Sequence, residues 1–161
     1  MAKVILICGK ICSGKTLYAK SLAKEYNGVI LSADEITLSL FGQRLGETHE
    51  EIVGKIRRYL LTKTAEIVMT YSNVVLDWGF WTKNDRHEVI KFFDGKHIAI
   101  EWHYIDITDE TWRKNAAKRN RCVQSGHEDA YFIDENIAEK CLRMFEAPAR
   151  EEIDVWYNNN W

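Results

Sequence analysis

Proline is nearly absent from this chain: Pro148 is the only one in 161 residues. No Pro- or Ser-rich stretch reads as a linker, and no internal repeat or low-complexity segment interrupts the sequence, so residues 1–161 are expected to form one domain. No apolar run approaches the ~20 residues that a membrane-crossing helix needs. The amino terminus has no basic segment followed by an apolar stretch and a cleavage site, so no signal peptide is expected. The four cysteines (Cys8, Cys12, Cys122, Cys141) form no Cys-x-x-Cys pair or zinc-ligand rhythm. The positions of Cys8 and Cys12 read as reduced thiols of a cytoplasmic protein. The five histidines show no metal-ligand spacing such as His-Glu-x-x-His, and His103 reads as a packed histidine on a strand. An excess of one charge is missing too: the net charge is −2, which exerts no global pull on nucleic acid or a membrane.

What is present is concentrated in Gly9-Lys10-Ile11-Cys12-Ser13-Gly14-Lys15-Thr16. It fits G-x-x-x-x-G-K-[ST], the phosphate-cradling Walker A loop. The glycines let successive backbone N–H groups turn inward on phosphate oxygens. Lys15 supplies charge to the β- and γ-phosphates, and the Thr16 hydroxyl is suited to ligate magnesium. The flanks agree. Lys3 to Cys8 is a short apolar run of the kind that forms a buried parallel strand. Leu17, Leu22, Ala23 and Tyr26 recur at helical spacing until Asn27-Gly28. Cys12 is either a thiol activated by Lys15 and the helix terminus or simply a small loop residue.

Elements then alternate. Strands are predicted at 3–8, 28–32, 73–77 and 97–107, with a short last one near 153–156. Helices are predicted after the loop, over much of 35–72, and at 83–93, 109–123 and 134–146. That alternation predicts an α/β fold, a three-layer sandwich around a five-stranded parallel sheet, with a helical insert and lid. Ligands of such a sheet gather at the carboxyl ends of its strands.

Three groups reach that edge. Asp34 follows the second strand, as a base for an acceptor hydroxyl or as part of a helix cap in Ser32-Ala33-Asp34-Glu35; position alone leaves both open. Asp77 follows Val74-Val75-Leu76, the arrangement of a Walker B carboxylate that holds magnesium beside Thr16. Trp78, Phe80 and Trp81 next to it either stack on a planar substrate or pack beneath the insert. Arg113, Lys114, Lys118, Arg119 and Arg121 form either a solvated helix face or a lid whose arginines close on a triphosphate. Gly126 and His127-Glu128-Asp129 give that segment a polar end.

On GKICSGKT (9–16), LSADEI (31–36), VVLDWGFWTKNDR (74–86), WRKNAAKRN (112–120) and FEAP (145–148), nearly the whole chain resembles the small P-loop kinases usually labelled AAA family ATPase or ATP-binding protein. These are similar to polynucleotide 5′-kinase, zeta-toxin and chloramphenicol phosphotransferase domains. The resemblance implies Lys15 and Thr16 as ligands of ATP and Mg²⁺, Asp34 as general base, Asp77 as the second acid, and Arg113 or Arg119 as the lid arginine. In polynucleotide kinases an arginine follows the base by three positions and contacts the substrate's phosphate; here Thr37 stands there. Nucleic acid is therefore not the expected partner. With no sensor motif or second helical lid domain, a ring-forming mechanical ATPase is not expected either.

The expectation from these residues is an ATP-dependent kinase that moves the γ-phosphate to a hydroxyl of a small or nucleoside-like acceptor. Its rivals are a nucleotide-dependent switch with a protein partner, docked through the terminal aromatics of 154–161, and a polynucleotide 5′-hydroxyl kinase.

Overall fold

The computed structural model describes residues 2–43, 45–127 and 130–159. Glu128 and Asp129 of the polar end, and Asn160 and Trp161 of the terminal run, lie outside the described residues. The strands are β1 (Val4–Gly9), β2 (Gly28–Leu31), β3 (Asn73–Leu76), β4 (Ile100–Asp106) and β5 (Val155–Asn158). They form one sheet in the order β2-β3-β1-β4-β5, and every pairing is parallel. Helices α1 (Lys15–Glu25), α2 (Ala33–Phe41), α3 (His49–Met69), α4 (Lys83–Asp94), α5 (Asp109–Gln124) and α6 (Glu135–Met144) connect them.

All six residues of β1 are buried, which is why its sequence is a continuous apolar run rather than an alternation. Its side chains divide the core between the two faces of the sheet. Val4, Leu6 and Cys8 pack with Leu60, Val89 and Phe93 from α3 and α4. Ile5 and Ile7 pack with Ala19, Leu22, Trp112 and Ala116 from α1 and α5. The connection order reverses beside β1, the place where open parallel sheets bind their ligands, and there β1 runs into the glycine loop.

Several boundaries move from the sequence expectation, among them β5, which runs Val155–Asn158 rather than 153–156. β4 begins at Ile100 rather than at 97 because the chain still closes α4 there: the His97 and Ile98 amides donate to Asp94 and Phe93 carbonyls, and His97 is left-handed at φ 56°. The long helical stretch after β2 splits at Gly42 (φ 59°) into α2 and α3.

Of the three aromatic residues after Asp77, Trp81 is part-exposed, and burial resolves the other two. Trp78 and Phe80 are 3% and 1% exposed and belong to the core layer under α3 and α4, so they pack rather than stack on a ligand. The terminal aromatics also pack: Tyr157 stacks on Tyr18 at 4.9 Å and Trp156 meets Tyr104 edge-on at 4.7 Å. Both are part-buried, and Trp161 lies outside the described residues.

Arg86 holds this region together. Its guanidinium, 4% exposed, pairs with Glu152 at 3.2 Å and donates to the Phe80 and Glu146 carbonyls at 3.1 and 3.0 Å. It ties the turn after Asp77, where Phe80 is at φ 46°, to the segment leading into β5. Removing one partner of a buried pair strands the other. Arg86→Ala is expected to lower unfolding free energy by about 3 kcal/mol, read as a shift in the urea midpoint. Arg86→Lys should recover only part of it, because one ammonium cannot match the guanidinium fork.

Candidate functional site

The loop from Gly9 to Thr16 turns between β1 and α1. A side chain at Gly9 would press within 2.8 Å of the Ser13 hydroxyl, and Gly14, at φ 95°, caps α1 in a left-handed conformation. Helices α2, α4, α5 and α6 are each capped by a side chain, from Ser32, Thr82, Thr108 and Asp134. By contrast α1 has no side-chain cap and no acid in its first turn. Its amide groups and positive dipole end are left to an anion. The Ser13 hydroxyl is buried with no hydrogen-bond partner, a further donor within the cradle.

Lys15 reaches across the loop and donates to the Gly9 and Lys10 carbonyls at 3.1 and 2.6 Å. Burial holds its pKa below the ordinary lysine value, opposed by the negative charges of Asp77 and Asp34 and assisted by the positive charge of Arg119. Asp77, 5% exposed, accepts a hydrogen bond from the Thr16 hydroxyl at 2.9 Å. Burial raises its pKa, Lys15 and the Thr16 bond pull it back, and the Asp34 carboxylate raises it further. Lys15, Asp77, Asp34 and Arg119 thus form one electrostatic cluster at the sheet edge. The donor set suits magnesium, which is usually held by one or two carboxylates and by phosphate oxygens rather than by an all-protein cage.

Asp34 lies exposed in the first turn of α2, while the capping bond of that helix comes from Ser32, whose hydroxyl accepts from the Glu35 amide at 3.2 Å. The carboxylate is therefore not occupied as the cap. Thr37 is wholly buried and donates to the Ala33 carbonyl at 2.7 Å, so it faces its own helix rather than the cleft.

The basic run divides on α5. Arg119 is half-buried and turned to the cluster. Arg113 is exposed, its charge acting on Asp109, and Lys114 pairs with Glu110 at 2.7 Å. The face that carries Arg119 is fastened to the loop. Trp112 donates to the Ile11 carbonyl at 2.8 Å and Asn115 to the Cys12 carbonyl at 2.9 Å, while Lys10 pairs with Asp109 at 3.0 Å. Asn159, just past β5, donates to the Ser13 carbonyl at 2.9 Å. Trp112 and Asn115 were not read from the sequence as holding the loop; the spacing 112, 115, 116, 119, one face of a helix, was the signal. Cys12 is buried in the core layer beneath them, with Ala19 and Trp112.

Opposite the loop, the insert and the segment after α5 meet. His49 Nε2 lies 3.2 Å from the Tyr131 hydroxyl, Gln43 donates to the Ala130 carbonyl at 2.9 Å, and Lys140 pairs with Glu50 at 2.6 Å. Burial pushes the Tyr131 phenol up to about 12, with the Asp34 carboxylate adding to it, which sets Tyr131 on the Asp34 side of the cleft. His103 is remote from this chemistry: it is buried between the Tyr18 hydroxyl and Glu101, at 2.8 Å from each.

Known proteins share this architecture. A family model described as AAA domain (AAA_33) matches residues 4–148. No curated protein sequence matches the chain. A putative kinase from Chloroflexus aurantiacus superposes with a TM-score of 0.73 at 14% identity, over 99% of this chain and 88% of that one. Kti12 from Chaetomium thermophilum, solved with ADP-AlF3, gives 0.73 at 16% identity over 98% and 89%. The APS kinase CysC of Mycobacterium tuberculosis, solved with AMPPNP and APS, gives 0.62 at 14% identity over 98% and 88%. At these identities the likeness establishes the fold, that of the P-loop kinases.

Proposed function

Since the chain belongs to the AAA domain family AAA_33, we propose that it is a phosphotransferase that moves the γ-phosphate of ATP to a hydroxyl of a small acceptor. The observation that carries the reading is Asp34. It is a second carboxylate, free of capping duty, whose charge acts on both Lys15 and Asp77. A nucleotide-hydrolysing switch uses the lysine, the threonine and the Walker B acid, but has no need of a base facing an acceptor.

The residues divide the work. The loop amides and Lys15 hold the phosphates, and Thr16 with Asp77 holds magnesium, which neutralises phosphate charge when bound. Asp34 takes the proton of the acceptor hydroxyl as its oxygen bonds to phosphorus and the bond to the ADP oxygen breaks. Arg119, fixed over the loop by Trp112 and Asn115, stabilises charge on the transferred group. The docked α5 limits water at the loop and so restrains hydrolysis.

The test is a panel of hydroxyl compounds with Mg·ATP, scored by mass spectrometry of the phosphorylated product. Acceptor-dependent ADP release with stoichiometric product is expected. ADP release indifferent to every acceptor but stimulated by a protein partner would replace this reading with the switch.

A further inference from the structure

Helix α3 descends from the carboxyl edge of the sheet to the opposite edge, because its last turn feeds β3. Its inner face carries Val53, Leu60 and Thr64, all buried. Leu60 shares a core layer with Ala33, Leu76 and Trp78, the neighbours of Asp34 and Asp77. Arg57 lies on the same face, one turn nearer the amino terminus and so nearer the carboxyl edge of the sheet, the edge at which Asp34 and Asp77 follow their strands.

Its Nε is buried without a hydrogen-bond partner, and among the described residues no carboxylate pairs with its guanidinium. Buried donors are almost always paired, and this one, on a side chain that is otherwise part-exposed, calls for a reason. Arg86 shows the ordinary arrangement, with Glu152 and two carbonyls around it. The other cations of α3 do not compete for the role. Lys55 pairs with Glu51, Lys63 pairs with Glu66, and Arg58 is exposed. Helix α2 offers no basic residue, and Thr37 is turned inward.

We propose that Arg57 is the recognition residue for the acceptor, and that the acceptor is a small hydroxy compound bearing an anionic group, a carboxylate, phosphate or sulfate. This rests on the phosphotransferase reading of the site. The planar guanidinium fork matches such oxyanions in two parallel hydrogen bonds. Anchoring the acid at α3 would direct the hydroxyl toward Asp34, across the cleft, while Lys15 and Arg119 serve the nucleotide. Arg57 is thus a residue of specificity, and the proton transfer stays with Asp34.

The full chain is first saturated with Mg·AMPPNP, so that the phosphate loop is filled. It is then titrated at constant ionic strength with glycerol, glycerate, glycerol 3-phosphate and inorganic sulfate, and followed by NMR. Saturable binding of the anions, tighter than glycerol, is expected. Arg57→Met should weaken it by about tenfold or more, Arg57→Lys should restore part, and both variants should keep the nucleotide affinity and melting temperature of the parent. The better of glycerate and glycerol 3-phosphate tells carboxylate from phosphate recognition. Anions that bind no tighter than glycerol, or equally well in Arg57→Met, overturn the proposal, as does an Arg57→Met that melts far lower with anion binding unchanged. If Arg57-dependent anion binding is found but no hydroxy acid is phosphorylated from ATP, the anion site stands and the phosphotransferase reading falls.

Discussion

Asp34→Asn should lower phosphoryl transfer by about 10²–10⁴-fold, the usual contribution of a positioned general base, with Mg·nucleotide affinity nearly unchanged. The amide keeps the size and one acceptor oxygen of the carboxylate but cannot take the proton. The substitution separates cleanly from folding. The cap of α2 is the Ser32 hydroxyl bonded to the Glu35 amide, so Asp34 contributes only a first-turn charge to that helix, typically about 0.3–1 kcal/mol. Ser32→Ala supplies the contrast: it should cost about 1 kcal/mol of stability and leave the chemistry of transfer intact. Steady-state rates with an acceptor from the panel, beside calorimetric nucleotide binding, decide the matter. Wild-type transfer in Asp34→Asn would reduce the residue to a helix-terminal charge.

The contrast between Ser32 and Asp34 marks where the sequence becomes hard to read. The loop was legible because each of its positions has a mechanical requirement that few residues meet, and the buried run of β1 before it admits one conformation. The alternation of elements was legible for the same reason: parallel strands need crossovers, and the apolar runs were too short to be anything else. Local chemistry, however, does not say which of two neighbouring polar groups faces inward. Trp78 and Phe80 are large aromatics near a ligand edge whichever way they point, and only the packing of α3 and α4 draws them into the core. Arg113 and Arg119 look alike in a basic run; six residues apart on a helix, they face different sides, and the bonds from Trp112 and Asn115 select Arg119. Asn159 was beyond reach, since its contact with the Ser13 carbonyl depends on how β5 docks beside β4. Arg57 was invisible for the opposite reason: what distinguishes it is a partner it lacks.

Asp77→Asn carries the other large effect and has two signs at once. Transfer should fall by about 10²–10³-fold, the scale of losing one electrostatic stabiliser at the reacting phosphates, yet the ligand-free protein should become more stable at neutral pH. Burial raises the Asp77 pKa above its ordinary value of 3.8 even though Lys15 and the Thr16 hydroxyl oppose the shift. A carboxyl with a raised folded-state pKa binds more protons folded than unfolded as pH climbs from about 3.8 to the raised value, so stability drops across that window and stays lower above it. Asparagine never ionises and keeps an oxygen for Thr16, so the variant avoids the loss. Its advantage should be full near pH 7 and shrink as pH falls through the window. Magnesium reverses the order. At a hundred times its dissociation constant, Mg·AMPPNP adds about 2.7 kcal/mol to a protein that binds it only when folded, and the variant should lose most of the magnesium-dependent part of that increment. Melting curves of both proteins between pH 4 and 8, with AMPPNP in the presence and absence of magnesium, give both signs in one experiment. A variant that melts lower than the parent at pH 7 while keeping its magnesium increment would show that Asp77 is a structural partner of Lys15 and not the carboxylate that holds the metal.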